Sequence, residues 1–289
     1  MAENVDGDAL TSEVVRSFSS TSDERLRQIL TSLTTHLHAF VVDVAPSIEE
    51  WEQAVDFLSR TGQACTDVRQ EFILLSDVLG VSMLVETLNG QETPEATDST
   101  VLGPFHMVES PARELGDDIS PESEGPRCVV SGRIRAVDGT PIPNAAIDIW
   151  QADTKGFYDV QQPAIQSVGN GRALLRSDAE GRFHFRSVIP MHYPIPTDGP
   201  VGELLKATSR HPYRPAHIHF LVTAPGFREL TTHIFIAGSD YIDSDAVFAV
   251  KGSLVKDFVQ EQDGQEAERY GVPSPFRHGH FDIVLHPES

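Results

Sequence analysis

Apolar positions return every three or four residues along the first third of the chain and every second residue beyond about position 100. From Thr21 onward, Leu26, Ile29, Leu30, Leu33 and Leu37 keep helical spacing, and Thr21 with Glu24 predicts a capping box. Ser47 and Glu50 repeat that signature ahead of Trp51, Val55 and Leu58. The spacing predicts a third helix from Asp67 to Leu88, stopped by Asn89-Gly90. Its second half, VLGVSMLVETL, is apolar on more than one face, so it is expected to be buried between layers or against another subunit.

After TVLGPFH at 100–106 the period changes to two. RCVVSGRIRAV precedes the turn signal Asp138-Gly139, and AAIDIWQA, GRFHFRSV and HIHFLVTA precede Pro225-Gly226. ELTTHIFIAG and HFDIVL follow. These stretches predict an antiparallel β-sandwich, interrupted by a helix over DAVFAVKGSLVKDF, 245–258. The expected fold is α+β: a helical N-terminal domain over 1–102, then the sandwich over 103–289.

Composition narrows the partners. The chain of 289 residues carries a net charge of −21, which argues against nucleic acid or an anionic membrane. An anionic substrate would need local positive charge. MAENVDGDAL lacks the basic and apolar regions of a secretory signal, and no apolar run approaches a membrane span. Cys65 and Cys128 are isolated, forming neither a disulfide framework nor a zinc motif. Cytoplasm is the default location.

Three H-x-H pairs occur. His36 and His38 sit on a predicted helix, where two positions diverge by about 200°, and His278 and His280 straddle Gly279 at a strand entrance. Only His217 and His219 combine a strand, one shared face and apolar flanks. Structural histidines remain the alternative to metal ligands here. Tyr158 in DIWQADTKGFYD and Tyr193 in MHYPIPTDGP are further donors, or packed tyrosines. A phenolate at neutral pH needs a strong positive charge. Two phenolates and two neutral imidazoles suit Fe(III) better than zinc, copper or magnesium.

W-Q-A-D-x-x-G-x-Y-D around Tyr158, the Tyr193 loop and R-P-A-H-I-H at 214–219 together resemble the intradiol ring-cleavage dioxygenases. L-G-P-F at 102–105, L-T-T-H-I-F at 230–235 and the helical region extend the likeness over most of the chain. Within the family the chain is most similar to the hydroxyquinol 1,2-dioxygenases, close to the catechol 1,2-dioxygenases. The resemblance implies one Fe(III) per subunit held by Tyr158, Tyr193, His217 and His219. It makes Arg214 the active-site arginine and Tyr193 a displaceable ligand that can take a substrate proton. It also implies a pocket of Leu74, Asp77, Val101, Leu102, Gly103, Pro104, Phe105, Ile195, Pro196, His233 and Val247. Asp77 is placed to accept a hydrogen bond from an extra ring hydroxyl. Catechol-cleaving relatives usually carry glutamine where this chain has His233, which favours the hydroxyquinol branch.

The implied partners are an aromatic diol or triol and O2, with a second copy of the chain bound through the N-terminal helices. Relatives can hold a lipid among those helices, although nothing in these residues requires one. For benzene-1,2,4-triol the expected product is 3-hydroxy-cis,cis-muconate, which tautomerises to maleylacetate. Three rival readings stand beside this one. The first is a catechol or chlorocatechol 1,2-dioxygenase. The second is a cupin-like ferrous oxygenase, disfavoured because Glu229 comes ten residues after His219. The third is a non-catalytic sandwich used for oligomerisation, which leaves the tyrosines and Arg214 unexplained.

Overall fold

The computed structural model describes residues 7–66, 69–90, 95–106 and 109–288. Two compact units divide at Arg60/Thr61, whereas the texture of the sequence changes near residue 102. The first holds α1 (Gly7–Ser17), α2 (Glu24–Val44) and most of α3 (Ile48–Gln63). The Ser47–Glu50 capping box forms, with Ser47 N–H donating to Glu50 Oε2 at 2.7 Å and Glu50 N–H to Ser47 Oγ at 3.2 Å. The Thr21–Glu24 box does not. Thr21 closes a 3-10 turn through Phe18 O, and Asp23 caps α2 by accepting from Leu26 N–H. Both longer helices present apolar side chains to solvent, among them Leu33, Leu37 and Trp51.

The second unit opens with two helices where one was expected: α4 (Glu71–Val78) and α5 (Val81–Gly90). Gly80 at φ +72° separates them; a left-handed residue ends a helix. The expected start at Asp67 lies outside the described residues. Burial of VLGVSMLVETL is only partial. Val78 and Met83 are buried, but Leu79, Leu84, Val85 and Leu88 are exposed.

Next come β1 (Arg127–Ala136), β2 (Ala146–Gln151), β3 (Arg172–Arg176), β4 (Arg182–Val188) and β5 (Tyr193–Pro194). Helix α6 (Pro200–Ala207) leads to β6 (Tyr213–Arg214), β7 (His217–Thr223), β8 (Leu230–Ile236), β9 (Val255–Lys256) and β10 (Phe258–Glu261). Helix α7 (Gly264–Tyr270), β11 (Phe276–His280) and β12 (Ile283–Leu285) close the chain. One sheet runs β10-β11-β1-β12 with β4 also on β1; the other runs β3-β2-β7-β8-β9. Phe183 and Phe185 of β4 meet Phe220 of β7 at ring separations of 6.2 and 6.3 Å, so apolar faces of the two sheets share a core.

The sheets are mixed, not purely antiparallel. β1 pairs parallel with β11 and β12, as β8 does with β9. Such pairs need long crossovers, which the intervening elements supply. The expected helix at 245–258 is absent. Asp245 spends its carboxylate on the N–H groups of Val247 and Ala249, and Phe248 takes φ +59°, which no α-helix accommodates. A 3-10 turn, Gly252–Leu254, then leads into β9. Among the described residues no helix is long and apolar enough to cross a membrane.

Candidate active site

Strand alternation puts Ile218, Phe220 and Val222 into the core and turns His217 and His219 to the opposite face. Cross-strand register then sets their neighbours. Trp150 of β2 and His233 of β8 flank His219 directly. The Trp150 ring stacks on His219 at 4.6 Å and 14°, and His233 Nε2 lies 2.7 Å from His219 Nδ1. His233 therefore stands behind His219, outside the set of side chains that line the neighbouring cavity.

Tyr158 arrives from a loop and Tyr193 from the short strand β5. Tyr158 caps the 3-10 turn Asp159–Gln161, with its N–H donating to Gln161 Oε1 at 2.8 Å. Gly156 just before it takes φ +85°, and a Cβ there would sit 2.7 Å from His192 O, so the turn admits only glycine. Tyr193 pairs with Arg214 in the two-stranded β5–β6 ribbon. Tyr158 Oη reaches 3.0 Å from His219 Nε2, and Tyr193 Oη 3.5 Å from His217 Nε2. The two Nε2 atoms are 3.1 Å apart. Four donor atoms converge in a site where every one of these side chains is buried.

Their chemistry suits a hard trivalent cation. The Pro215 carbonyl can only accept, so His217 donates to it from Nδ1 at 2.7 Å and leaves Nε2 with a lone pair. Burial, with Arg214 alongside, holds His217 well below the usual imidazole range. Burial does the same to His219 and His233, so all three rings are neutral. Burial also pushes the Tyr158 hydroxyl well above the usual phenol range, with Tyr193 adding to the effect. A phenolate there requires a cation within bonding distance. These residues fit a ferric ion; the histidine cluster His217, His219 and His233 contains no carboxylate.

Arg214 is buried beside the donor set, Nη1 3.3 Å from His217 Nε2. Burial alone would lower its pKa, but Asp245 outweighs this and keeps the guanidinium charged. Nε lies 3.2 Å from Asp245 Oδ1 and Nη2 3.4 Å from Oδ2. Sequence reasoning missed Asp245, because nothing local marks a partner 31 positions away. It also missed Arg172, whose buried ion pair with Asp159 at 2.8 Å accompanies a bond to Phe105 O at 2.9 Å. That bond holds Phe105 stacked on Tyr158 at 4.4 Å.

A cavity of about 530 Å³ opens beside Phe105. Leu74 and Asp77 of α4 line it, together with Leu102, Gly103, Pro104, Phe105 and Pro196. Gly103, at φ +78°, brings its backbone close to the His219 ring. Val101, Ile195 and Val247 are buried but do not line this cavity. Asp77 is 3% exposed and its Oδ1 has no hydrogen-bond partner. Burial raises its carboxyl above the ordinary range, against a hydrogen bond from Ser82 and the pull of Arg214. Asp77 thus lines the cavity while its Oδ1 stays buried without a partner, and a buried acceptor of this kind calls for an explanation.

A family model described as Dioxygenase matches residues 104–287, and a second, Catechol dioxygenase N terminus, matches 23–97. The chain belongs to the intradiol ring-cleavage dioxygenases. Among relatives of this family, the 6-chlorohydroxyquinol 1,2-dioxygenase of Cupriavidus pinatubonensis is 50% identical, with 96% of each chain covered. The hydroxyquinol 1,2-dioxygenase of Rhodococcus opacus is 48% identical over 96% of this chain and 93% of its own. The solved hydroxyquinol 1,2-dioxygenase of Pseudomonas putida superposes with a TM-score of 0.90 at 42% identity, covering 98% of this chain and 99% of that one. Intradiol dioxygenases use non-haem iron, in keeping with a phenol and imidazole donor set.

Proposed function

We propose that the protein cleaves hydroxyquinol, benzene-1,2,4-triol, between its ortho hydroxyls with O2, giving 3-hydroxy-cis,cis-muconate and, by tautomerisation, maleylacetate. The observation that carries this reading is Asp77, which lines the cavity beside the four-donor cluster and keeps a buried Oδ1 without a partner. Catechol offers no third hydroxyl to such an acceptor. The hydroxyquinol and chlorohydroxyquinol activities of the relatives support the same choice.

One Fe(III) per subunit would be held by Tyr158, Tyr193, His217 and His219. When bound, it would supply Lewis-acid activation of the aromatic diol toward O2. Each side chain then has a task of its own. Tyr193 Oη, at the end of a short ribbon, accepts one substrate proton. Arg214, clamped by Asp245, keeps a fixed positive charge beside the oxygens as negative charge develops. It also offsets the acidic surface locally. Asp77 accepts from the third hydroxyl and so sets the ring's orientation. Leu74, Phe105 and Pro196 give apolar walls that exclude water.

O2-uptake kinetics test the proposal, with kcat/KM compared for hydroxyquinol, catechol and 4-chlorocatechol on iron-loaded protein. Hydroxyquinol should lead, and its product should be maleylacetate. A lead for catechol or chlorocatechol would overturn the substrate assignment. We also propose a homodimer formed through helices within residues 1–102, supported by the apolar side chains that α2 and α5 expose. Lipid recovered by solvent extraction of the purified protein would assign part of that apolar surface to a bound lipid instead.

A further inference from the structure

We propose that His233 is a positioning residue: by accepting a proton from His219 it dictates which nitrogen of His219 is free to bind a cation. The inference rests on the reading of His219 as an iron ligand. The two histidines differ in how their rings can be held. His217 begins β7, and the carbonyl of Pro215, two residues back, reaches its Nδ1 at 2.7 Å. His219 lies within the strand, hydrogen-bonded on both sides to β2 and β8. Its Nδ1 has a side chain as its partner, His233 Nε2, at 2.7 Å with the rings at 89°.

The direction of that bond follows from the donor face. His219 Nε2 lies 3.0 Å from Tyr158 Oη and 3.1 Å from His217 Nε2. For Nε2 to bind a cation, the His219 proton must sit on Nδ1 and be donated to His233 Nε2. The single proton of His233 is thereby placed on its own Nδ1. That atom is buried without any partner, an arrangement that leaves its desolvation cost uncompensated. An apolar residue would fill the same space without this cost, so packing alone does not account for an imidazole. His233 completes a three-histidine cluster with His217 and His219, yet its Nε2 is spent on His219. It acts through that ring.

The test is the rate at which iron-loaded, full-length protein releases iron to an excess of chelator. His233→Leu should release iron about 10- to 100-fold faster than the parent. His233→Gln, whose amide oxygen can accept the same proton, should stay within about threefold. A His233→Leu protein that keeps its iron at the parent rate would overturn the proposal, as would Gln and Leu variants that fail equally. Histidine-selective 15N NMR of the iron-free parent chain tests it without any variant. The His219 proton is expected on Nδ1, and finding it on Nε2 refutes the inference. His219→Ala distinguishes the two levels. If it retains iron, the ligand assignment is wrong; if it loses iron while His233→Leu does not, only the role of His233 is.

Discussion

Removing the acceptor at Asp77 separates recognition of the third hydroxyl from the chemistry at the donor cluster. The carboxylate is 3% exposed with Oδ1 partnerless, so water has little access to replace a lost contact. A hydrogen bond to a charged group contributes about 1.5–3 kcal/mol. Asp77→Leu should therefore lower kcat/KM for hydroxyquinol roughly 10- to 150-fold. Asp77→Asn keeps a neutral acceptor and should lose about five- to tenfold. Catechol turnover should fall much less or rise, because no donor is left unpaired. Stability should move the other way. Burial raises the folded-state pKa of Asp77 above its unfolded value, so its contribution to stability is fully present below about pH 4 and lost as pH rises through the folded pKa. Asp77→Asn should then melt higher than the parent at about pH 8, with the gap closing toward pH 4. Paired O2-uptake kinetics and thermal melts measure both effects. Equal losses for hydroxyquinol and catechol would refute the recognition role, pointing to a disturbed α4 instead.

Tyr158→Phe should weaken or shift the visible tyrosinate-to-iron absorption and speed iron loss, as read by absorbance and metal content; an unchanged band on iron-loaded protein removes Tyr158 from the donor set. Asp245→Asn should cut kcat more than it raises KM, because Arg214 loses the partner that aims it. Breaking a buried ion pair on one side should also cost about 3–5 kcal/mol of stability by denaturant titration. Sedimentation velocity at micromolar concentration should find a dimer, and a monomer there would refute the role given to the exposed helical faces.

Much of the architecture was legible from local periods. The capping box at Ser47–Glu50, the strand alternation of β7 and the turn signals around it each depend on neighbours a few residues away. Misreadings arose where local preference met a local breaker or a distant partner. VLGVSMLVETL reads as one helix, but Gly80 in the left-handed region divides it. DAVFAVKGSLVKDF has helical composition, yet Asp245 is drawn to Arg214 and its carboxylate takes up nearby N–H groups. The parallel pairings of β1 with β11 and β12 join segments some 150 residues apart, and no short window carries that information.

The candidate site divides along the same line. Sequence by itself determined that two imidazoles share one strand face, since side-chain alternation is a property of the backbone. Its motifs also named the two tyrosines, the arginine and the family they imply. Only the tertiary structure decided what those groups do to one another. Strand register put His233 behind His219 instead of in the cavity, because cross-strand neighbours depend on hairpin pairing and not on spacing within one strand. Packing of α4 decided that Asp77 is buried with an unused acceptor and not on a solvated helix face. Desolvation by the whole fold, which no residue carries alone, keeps the histidines neutral and the Tyr158 phenol reluctant to ionise without a cation.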